Sequence, residues 1–259
     1  MGELTFDDPC ILFALRRESR AFRREFRPRQ HFPGAPCWAR FCGPAWLSVL
    51  VLETGLGAAR TTTALQWLLG RPRLGQVPYR PKVVLSAGFS GALHDKYQVG
   101  DVILATEVAD QDGNLWLATW PESLPAGEWR PPLHRDRLLT VSRMAADPAE
   151  KRDLGRQHAA GAVDMETAVV ARLCSQQGMP FGCLRAISDR LDTPLSPHLV
   201  TLLKDGRVRL PRLVMALAAS PRLGRELWRL ARDTRLAAEQ LGRALGEILT
   251  LTLPWAADQ

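Results

Sequence analysis

Apolar runs of strand length alternate with amphipathic runs of helix length through most of the chain. Residues 11–15 form a short apolar run that a charged, helical run follows, and residues 47–69 predict a strand, a glycine loop and a helix. Residues 82–93 and 101–108 predict two further strands, the first of which breaks into a loop of small residues. Such alternation predicts an α/β domain in which helices cover a sheet.

Residues 162–192, AVDMETAVVARLCSQQGMPFGCLRAISDRLD, place two acids at opposite ends of a helix-then-strand pattern. Glu166 lies at the start of the predicted helix, which Gly178 and Pro180 end, and Asp189 lies where the following apolar strand ends. Ligands bind outside the carboxyl ends of strands in open α/β sheets. Asp189 is therefore a candidate for chemistry before any family is considered.

Two other stretches depart from this alternation. Residues 110–135 are rich in Trp, Pro and Gly with little periodicity, and they predict an insertion or lid. The pattern is helical after residue 195, and we predict that residues 201–259 form a helical extension packed on a main domain of residues 10–200. The apolar face of its long amphipathic part consists of Leu223, Leu227, Leu230, Leu241, Leu245 and Ile248.

Five arginines accompany this leucine face: Arg225, Arg229, Arg232, Arg235 and Arg243. Two interpretations stay open. A helix with this pattern packs on its own core or on a neighbouring subunit, with its arginines in water, or it lies on anionic lipid through both its apolar face and its charges.

Composition excludes several classes of protein. The chain has 259 residues, 46% of them hydrophobic, which is enough for one sizeable core. The net charge of +7 comes from arginine, and it fits either a solvated arginine surface or a partner with phosphate groups. Five cysteines without a CxxC pair, acids near the N-terminus and the lack of an 18-residue apolar run favour a cytoplasmic protein that neither spans a membrane nor is secreted. The five histidines show no metal-ligand spacing, so we assign no metal.

The loop TGLGAAR lies between a strand and a helix, where backbone N–H groups can receive an anion. Gly55 and Gly57 fit the dinucleotide-binding fingerprint, but Arg60 replaces its third glycine, so an oxidoreductase is the weakest alternative.

A second small-residue loop, SAGFSGAL, follows another predicted strand. Ser86, Ala87 and Gly88 would let a ligand approach its backbone closely. Two such loops at one edge of the sheet favour a binding pocket there.

Four segments together resemble the nucleoside phosphorylase superfamily, specifically its branch with the methylthioadenosine/adenosylhomocysteine nucleosidases. They are ILFALRRES, ETGLGAARTT, VLSAGFSGALHDKYQVGDVILATEV and the stretch of residues 162–192, and the resemblance covers roughly residues 10–195. The tail resembles the Arg-Leu-rich extension of hopanoid-associated phosphorylases in the same superfamily. The resemblance implies a single α/β domain with a central twisted mixed sheet flanked by helices, a C-terminal helical extension, and a homo-oligomer.

Carried over to this chain, the resemblance gives each acid a role in breaking the N-glycosidic bond of a purine nucleoside. Asp189 would protonate or hydrogen-bond the purine N7, with Ser188 beside it. Glu166 would hold the ribose hydroxyls while Met165 packs on the sugar, and Glu18 would orient or deprotonate the attacking water. The chemistry needs these types, because the base is a poor leaving anion and the sugar becomes cationic.

The chain departs from the family pattern at two places. Ala146 or a neighbour occupies the position of a purine-stacking Phe, and the apolar run VVL replaces the Arg that phosphorylases carry before the second loop. Arg16, Arg17 or Arg60 could bind phosphate instead, with Gly55. Hydrolysis and phosphorolysis therefore both stay open, with phosphate as a possible co-substrate and no other cofactor.

The substrate class and two alternatives complete the expectation. The resemblance implies a small-molecule nucleoside, which the tail extends to a hopanoid-linked adenosyl compound and to peripheral contact with membrane lipid; no nucleic-acid partner is implied. A non-catalytic nucleotide-binding protein that keeps the fold is the main alternative. Without the resemblance, Glu18 would be a solvated ion-pair partner, and Asp189 would cap a turn or pair with Arg185 or Arg190.

Overall fold

The computed structural model describes residues 9–44, 47, 49–74, 76–120, 124, 131–194 and 221–251. Its strands are β1 (Cys10–Phe13), β2 (Pro28–His31), β3 (Trp38–Cys42), β4 (Val49–Glu53), β5 (Arg73–Leu74), β6 (Val77–Pro78), β7 (Val84–Ala92), β8 (Val102–Asp110), β9 (Leu115–Leu117), β10 (Leu133–Thr140), β11 (Ala162–Asp164) and β12 (Phe181–Asp189). Its helices are α1 (Arg16–Glu25), α2 (Ala58–Leu69), α3 (Pro148–His158), α4 (Thr167–Gln176) and α5 (Pro221–Leu251).

One mixed sheet of ten strands organises the described part of the chain, in the order β11-β10-β8-β12-β7-β1-β4-β3-β2, with β9 paired to β8. β11 also pairs with β7, so that β7, β12, β8, β10 and β11 close into a small barrel. β1 runs parallel to both β4 and β7, whereas β12 is parallel to β7 and antiparallel to β8. The predicted α/β fold with a central mixed sheet is confirmed.

Helices cover both faces of this sheet. Along β1, Cys10 and Leu12 face the core under α2 and α4, whereas Ile11 and Phe13 face the core under α1 and α5. A strand that is buried on both faces reads as a continuous apolar run, which is how residues 11–15 appear in the sequence. The sheet therefore lies between two helical layers, and its strand ends are open to a ligand.

The predicted loop after the strand at residue 82 is wrong, because β7 continues through the small residues to Ala92. β1 pairs with it on one side and β12 on the other, and these ladders keep the backbone extended. Its glycines have another purpose. A Cβ atom at Gly88 would lie 3.0 Å from Glu18 Oε1, and one at Gly91 would lie 3.0 Å from Asp189 Oδ2.

The predicted insertion or lid at residues 110–135 is also wrong at both of its ends. β8 extends to Asp110, a turn with Gly113 at φ +86° follows, and β9 returns antiparallel to β8. β10 begins at Leu133 and pairs in parallel with β8. β9 is too short for its alternation to be recognised, and most of residues 121–130 lie outside the described residues.

The long helix α5 packs on α1 and β12. Its residues Leu241, Leu245 and Ile248 are fully buried, so this half of the leucine face contacts the protein's own core, as one of the two interpretations predicted, whereas Leu227 and Leu230 are partly exposed. Gly242 permits this contact, because a Cβ atom there would lie 2.9 Å from the backbone nitrogen of Phe22. The other predicted helices after residue 195 lie outside the described residues. Of the helices that are described, none has the length and apolarity to cross a bilayer.

Candidate active site

A cavity of about 170 Å³ lies where β7 and β12 end, and the three predicted acids line it together. Glu18 comes from α1, Glu166 from the start of α4 and Asp189 from the end of β12. The predicted residues Met165 and Ser188 line it as well. The remaining walls are largely apolar and are formed by Leu15, Leu56, Phe89, Val141, Met144, Ala145, Val163 and Leu230, among others.

Glu18 is buried and is held by backbone donors rather than by a solvated arginine. The N–H of Leu15 donates to its Oε2 at 2.7 Å, and the N–H of Phe89 donates to its Oε1 at 3.0 Å. Burial raises the pKa of Glu18 above its usual value, although both hydrogen bonds and nearby Arg185 oppose the rise. The result is a fixed carboxyl group that binds a proton more readily than an exposed glutamate does.

Glu166 precedes the first residue of α4, and its Oε1 accepts a hydrogen bond of 3.1 Å from the N–H of Gly57. Burial is the main reason that its pKa rises to about 7, and the neighbouring charge of Asp164 adds to the effect. The predicted anion-binding loop thus presents an N–H group to a carboxylate of the protein itself.

Asp189 has a partner that the sequence does not indicate. Its Oδ2 accepts a hydrogen bond from the ammonium group of Lys151, and its Oδ1 lies 2.9 Å from the hydroxyl of Ser188. Lys151 is fully buried in α3 and also donates to the backbone oxygen of Arg190 at 2.9 Å. The arginine partners that the sequence suggested without the resemblance pair elsewhere: the Arg190 side chain pairs with Asp192, and Arg185 pairs with Asp164.

Arg185 of β12 lies buried behind the acids. It donates to Asp164 at 2.8 and 3.0 Å and to the hydroxyl of Ser86 at 2.8 Å. A Cβ atom at Gly88 would lie 3.3 Å from its Nη1 and 3.0 Å from Glu18 Oε1, so the guanidinium group and Glu18 are neighbours. Spacing in the sequence offers no signal for this residue, because its partners come from distant segments.

The predicted contacts in SAGFSGAL shift along the strand. Ser86 and Ala87 are buried and do not line the cavity, and Gly88 serves it by leaving room for Glu18. The next three residues, Phe89, Ser90 and Gly91, line the cavity instead. The carboxyl-terminal end of β7, rather than the start of the motif, therefore forms this wall of the cavity.

The candidates for phosphate binding do not all reach the cavity. Gly55 and Arg60 line a separate depression of about 410 Å³ together with Cys37 and Glu53. Arg17 does line the cavity that the acids share. At the position expected for a purine-stacking side chain, Met144 and Ala145 line the cavity, and Ala146 does not.

Negative charge dominates the described lining of this cavity. Glu18, Asp164, Glu166 and Asp189 are its acids, and Arg17 is its basic residue. Arg185 pairs with Asp164 and Lys151 pairs with Asp189, whereas the hydrogen bonds that hold Glu18 and Glu166 come from backbone N–H groups. Within the described ranges, no group of three His, Cys, Asp or Glu side chains is arranged to hold a metal ion. The acids in the lining of this cavity favour a transition state that develops positive charge.

Comparisons with known proteins identify the family of the chain. The family model described as the phosphorylase superfamily matches residues 46–117 and 116–204. A 5′-methylthioadenosine/S-adenosylhomocysteine nucleosidase of Bacillus thuringiensis is 26% identical over 204 residues, which cover 70% of this chain and 84% of that protein.

Solved structures show the same fold. A mutant of the Helicobacter pylori 5′-methylthioadenosine/S-adenosylhomocysteine nucleosidase with 5′-methylthioadenosine in its active site superposes with a TM-score of 0.69 at 18% identity, covering 96% of this chain and 99% of that one. The futalosine hydrolase of Helicobacter pylori gives a TM-score of 0.69 at 18% identity, covering 95% and 98%.

Proposed function

The chain belongs to the phosphorylase superfamily, and we propose that it is an enzyme that hydrolyses the N-glycosidic bond of a purine nucleoside. The observation that carries the proposal is the convergence of Glu18, Glu166 and Asp189 on one cavity at the strand ends. The similarity to a nucleosidase over 84% of its length supports the same reaction class.

In the proposed reaction, each acid acts at a different atom of the substrate. Glu18 accepts a proton from water as the water oxygen attacks C1′ of the sugar. The bond from C1′ to the base breaks with its electron pair on the base, and Asp189 gives a proton to N7. Glu166 accepts hydrogen bonds from the ribose hydroxyls, and its charge stabilises the cationic sugar between bond breaking and bond making. The products are a free sugar and a neutral base.

The charge of the cavity supports water over phosphate as the nucleophile. A phosphate dianion would lie among Glu18, Glu166 and Asp189 with Arg17 as the basic residue of the described lining. Repulsion from the carboxylates of Glu18 and Glu166 would weaken its binding, whereas water carries no charge into the site. Asp189 adds no repulsion, because it carries a proton in the proposed reaction and pairs with Lys151. A raised pKa also makes Glu18 a better acceptor for a proton from water.

Product analysis tests this proposal. Purified protein is incubated with adenosine, inosine, 5′-methylthioadenosine and S-adenosylhomocysteine, with and without phosphate, and released base and sugar are separated by chromatography. We expect free base and free sugar without phosphate, at a rate that added phosphate leaves unchanged. A strict need for phosphate with a sugar 1-phosphate product would show a phosphorylase instead. If no base were released from these four nucleosides or from an adenosine with a long alkyl chain on its sugar, the protein would be a binding module.

A finer proposal concerns the substituent on the sugar. Leu230 and Thr234 of α5 line the cavity beside Leu15 and Met144, so the helical extension supplies part of an apolar wall. This wall supports the hopanoid-linked adenosyl substrate that the tail suggests. The test compares adenosine with an adenosine that carries a long alkyl chain on its sugar; Leu230→Asn should lower kcat/KM for the alkylated compound more than for adenosine. Equal effects on both compounds would argue against a lipid-linked substrate.

A further inference from the structure

Lys151 occupies a position where a surface helix ordinarily places an apolar residue. Along α3, which the structure describes in full, it is the buried residue, and its side chain has no exposed surface. Its ammonium group donates hydrogen bonds to Asp189 Oδ2 and to the backbone oxygen of Arg190. The one fully buried side chain of α3 thus ends on the proposed catalytic acid, whereas Leu154 of the same helix is partly buried against apolar neighbours.

Stability alone does not account for this choice. Burying an ammonium group is unfavourable unless it is paired, and a buried ion pair is often no more stabilising than apolar residues of the same volume. A Met or Leu at position 151 would fill similar space without a charge. The position of the pair indicates a reason for the buried lysine, since Asp189 lines the cavity whereas Lys151 does not. Lys151 reaches the acid from the interior side.

The hydrogen bonds of Asp189 divide its two oxygens by role. Oδ2 is held by Lys151 and lies close to Gly91, where a Cβ atom would be only 3.0 Å from it. Oδ1 lies 2.9 Å from the Ser188 hydroxyl, which also lies 3.3 Å from the backbone oxygen of Ser90. The hydroxyl can therefore donate to Oδ1 when that oxygen is charged, and to Ser90 when Oδ1 carries a proton.

We propose that Lys151 is the positioning residue for Asp189 in the proposed cleavage reaction, on which this inference rests. It directs the proton of the carboxyl group to Oδ1, and it stabilises the carboxylate that remains after Oδ1 gives this proton to the leaving base. Lys151 keeps its own three protons throughout, so the charge that appears on Asp189 is balanced at once. The base gains a proton, and the pair changes from positive to neutral.

A double-mutant cycle on the full-length protein tests the proposal. Lys151→Met should lower kcat about ten- to a hundredfold, part of the general-acid effect, and leave KM within about threefold. In an Asp189→Asn background the same change should alter kcat by less than about twofold, because residues that act as a unit are not additive. The control is Lys96→Met. Lys96 is half-exposed, its ammonium group lies 3.3 Å from Asp136 Oδ2, and neither residue lines the cavity.

Each outcome separates this inference from the proposed function. Wild-type protein that releases no base would refute the proposed function itself. An active wild type with an equally active Lys151→Met would refute the role of Lys151 alone, and so would equal losses in both backgrounds, which indicate a purely structural role. If Lys151→Met does not fold, Lys151→Gln keeps a donor for both oxygens but removes the charge. Full kcat in that variant would overturn the proposal. A loss of kcat that occurs when residue 189 is aspartate, and not in the Asp189→Asn background, would support it.

Discussion

Replacing Glu166 by glutamine should make the protein more stable and less active at the same time. Burial raises the pKa of this carboxyl group from 4.5 to about 7, so the folded state holds it charged only at a cost. Glutamine keeps an oxygen that can accept the hydrogen bond from Gly57 and carries no charge. It removes the unfavourable charge and, with it, the group proposed to stabilise the cationic sugar.

The direction in which the free energy of unfolding changes with pH follows from the protons that the folded and unfolded states bind. Between pH 4.5 and about 7 the folded state holds a proton on Glu166 that the unfolded state has lost, so the free energy of unfolding falls as pH rises through this window. The favourable contribution is complete below pH 4.5 and lost above about pH 7. The full difference corresponds to roughly 3 kcal/mol. Because the side chain is only partly buried, we expect Glu166→Gln to gain about 2 kcal/mol at pH 8 and nothing at pH 4.5.

Urea unfolding of wild type and variant at several pH values between 4.5 and 8 measures this difference directly. The control is Glu247→Gln, which removes a carboxyl group from an exposed position of α5. A difference for Glu166→Gln that does not grow with pH, or a variant less stable than wild type at pH 8, would show that burial does not set the charge of Glu166. Gain of stability with loss of turnover is typical of a functional site.

Three further predictions concern the acids and the core. Asp189→Asn should lower kcat about a hundredfold to ten-thousandfold. It should also lower the free energy of unfolding, because Lys151 loses its anionic partner. Base release and urea unfolding are measured on the same samples, and Asp192→Asn at an exposed position is the control. Glu18→Gln should lower kcat by a similar factor with little change in KM; an unchanged rate of base release would exclude it as the proton acceptor. Leu241→Ala should reduce the free energy of unfolding by about 2–5 kcal/mol, since it leaves a cavity where α5 meets the core, and a loss below about 1 kcal/mol in urea unfolding would contradict that packing.

Local pattern was sufficient for the elements that carry the acids. Helical spacing followed by an apolar run placed Glu166 before α4 and Asp189 at the end of β12, and the structure has both there. The fold class followed from the same alternation. These features depend on residues that are close in sequence, where periodicity and turn residues report the backbone directly.

Long-range contacts explain what the sequence could not predict. Lys151 and Asp189 are 38 residues apart, and the lysine lies in a charged helix that looks solvated. The extended course of β7 through its small residues depends on pairing with β1 and β12, not on propensity. In each case a distant segment decides the structure, and a single sequence contains no signal for which segment that is.

The glycine loop shows how such a contact changes chemistry. The pattern TGLG indicates free backbone N–H groups that can bind an anion, and this was the basis for a possible phosphate site. In the structure, Glu166 from 109 residues away accepts the hydrogen bond from Gly57. One N–H group donates well to one acceptor, so a phosphate at this place would have to displace a carboxylate that the proposed reaction needs on the sugar. The contact that positions Glu166 therefore also disfavours phosphate at this N–H group, and the same hydrogen bond is consistent with both the proposed binding of ribose and the proposed choice of water as the nucleophile.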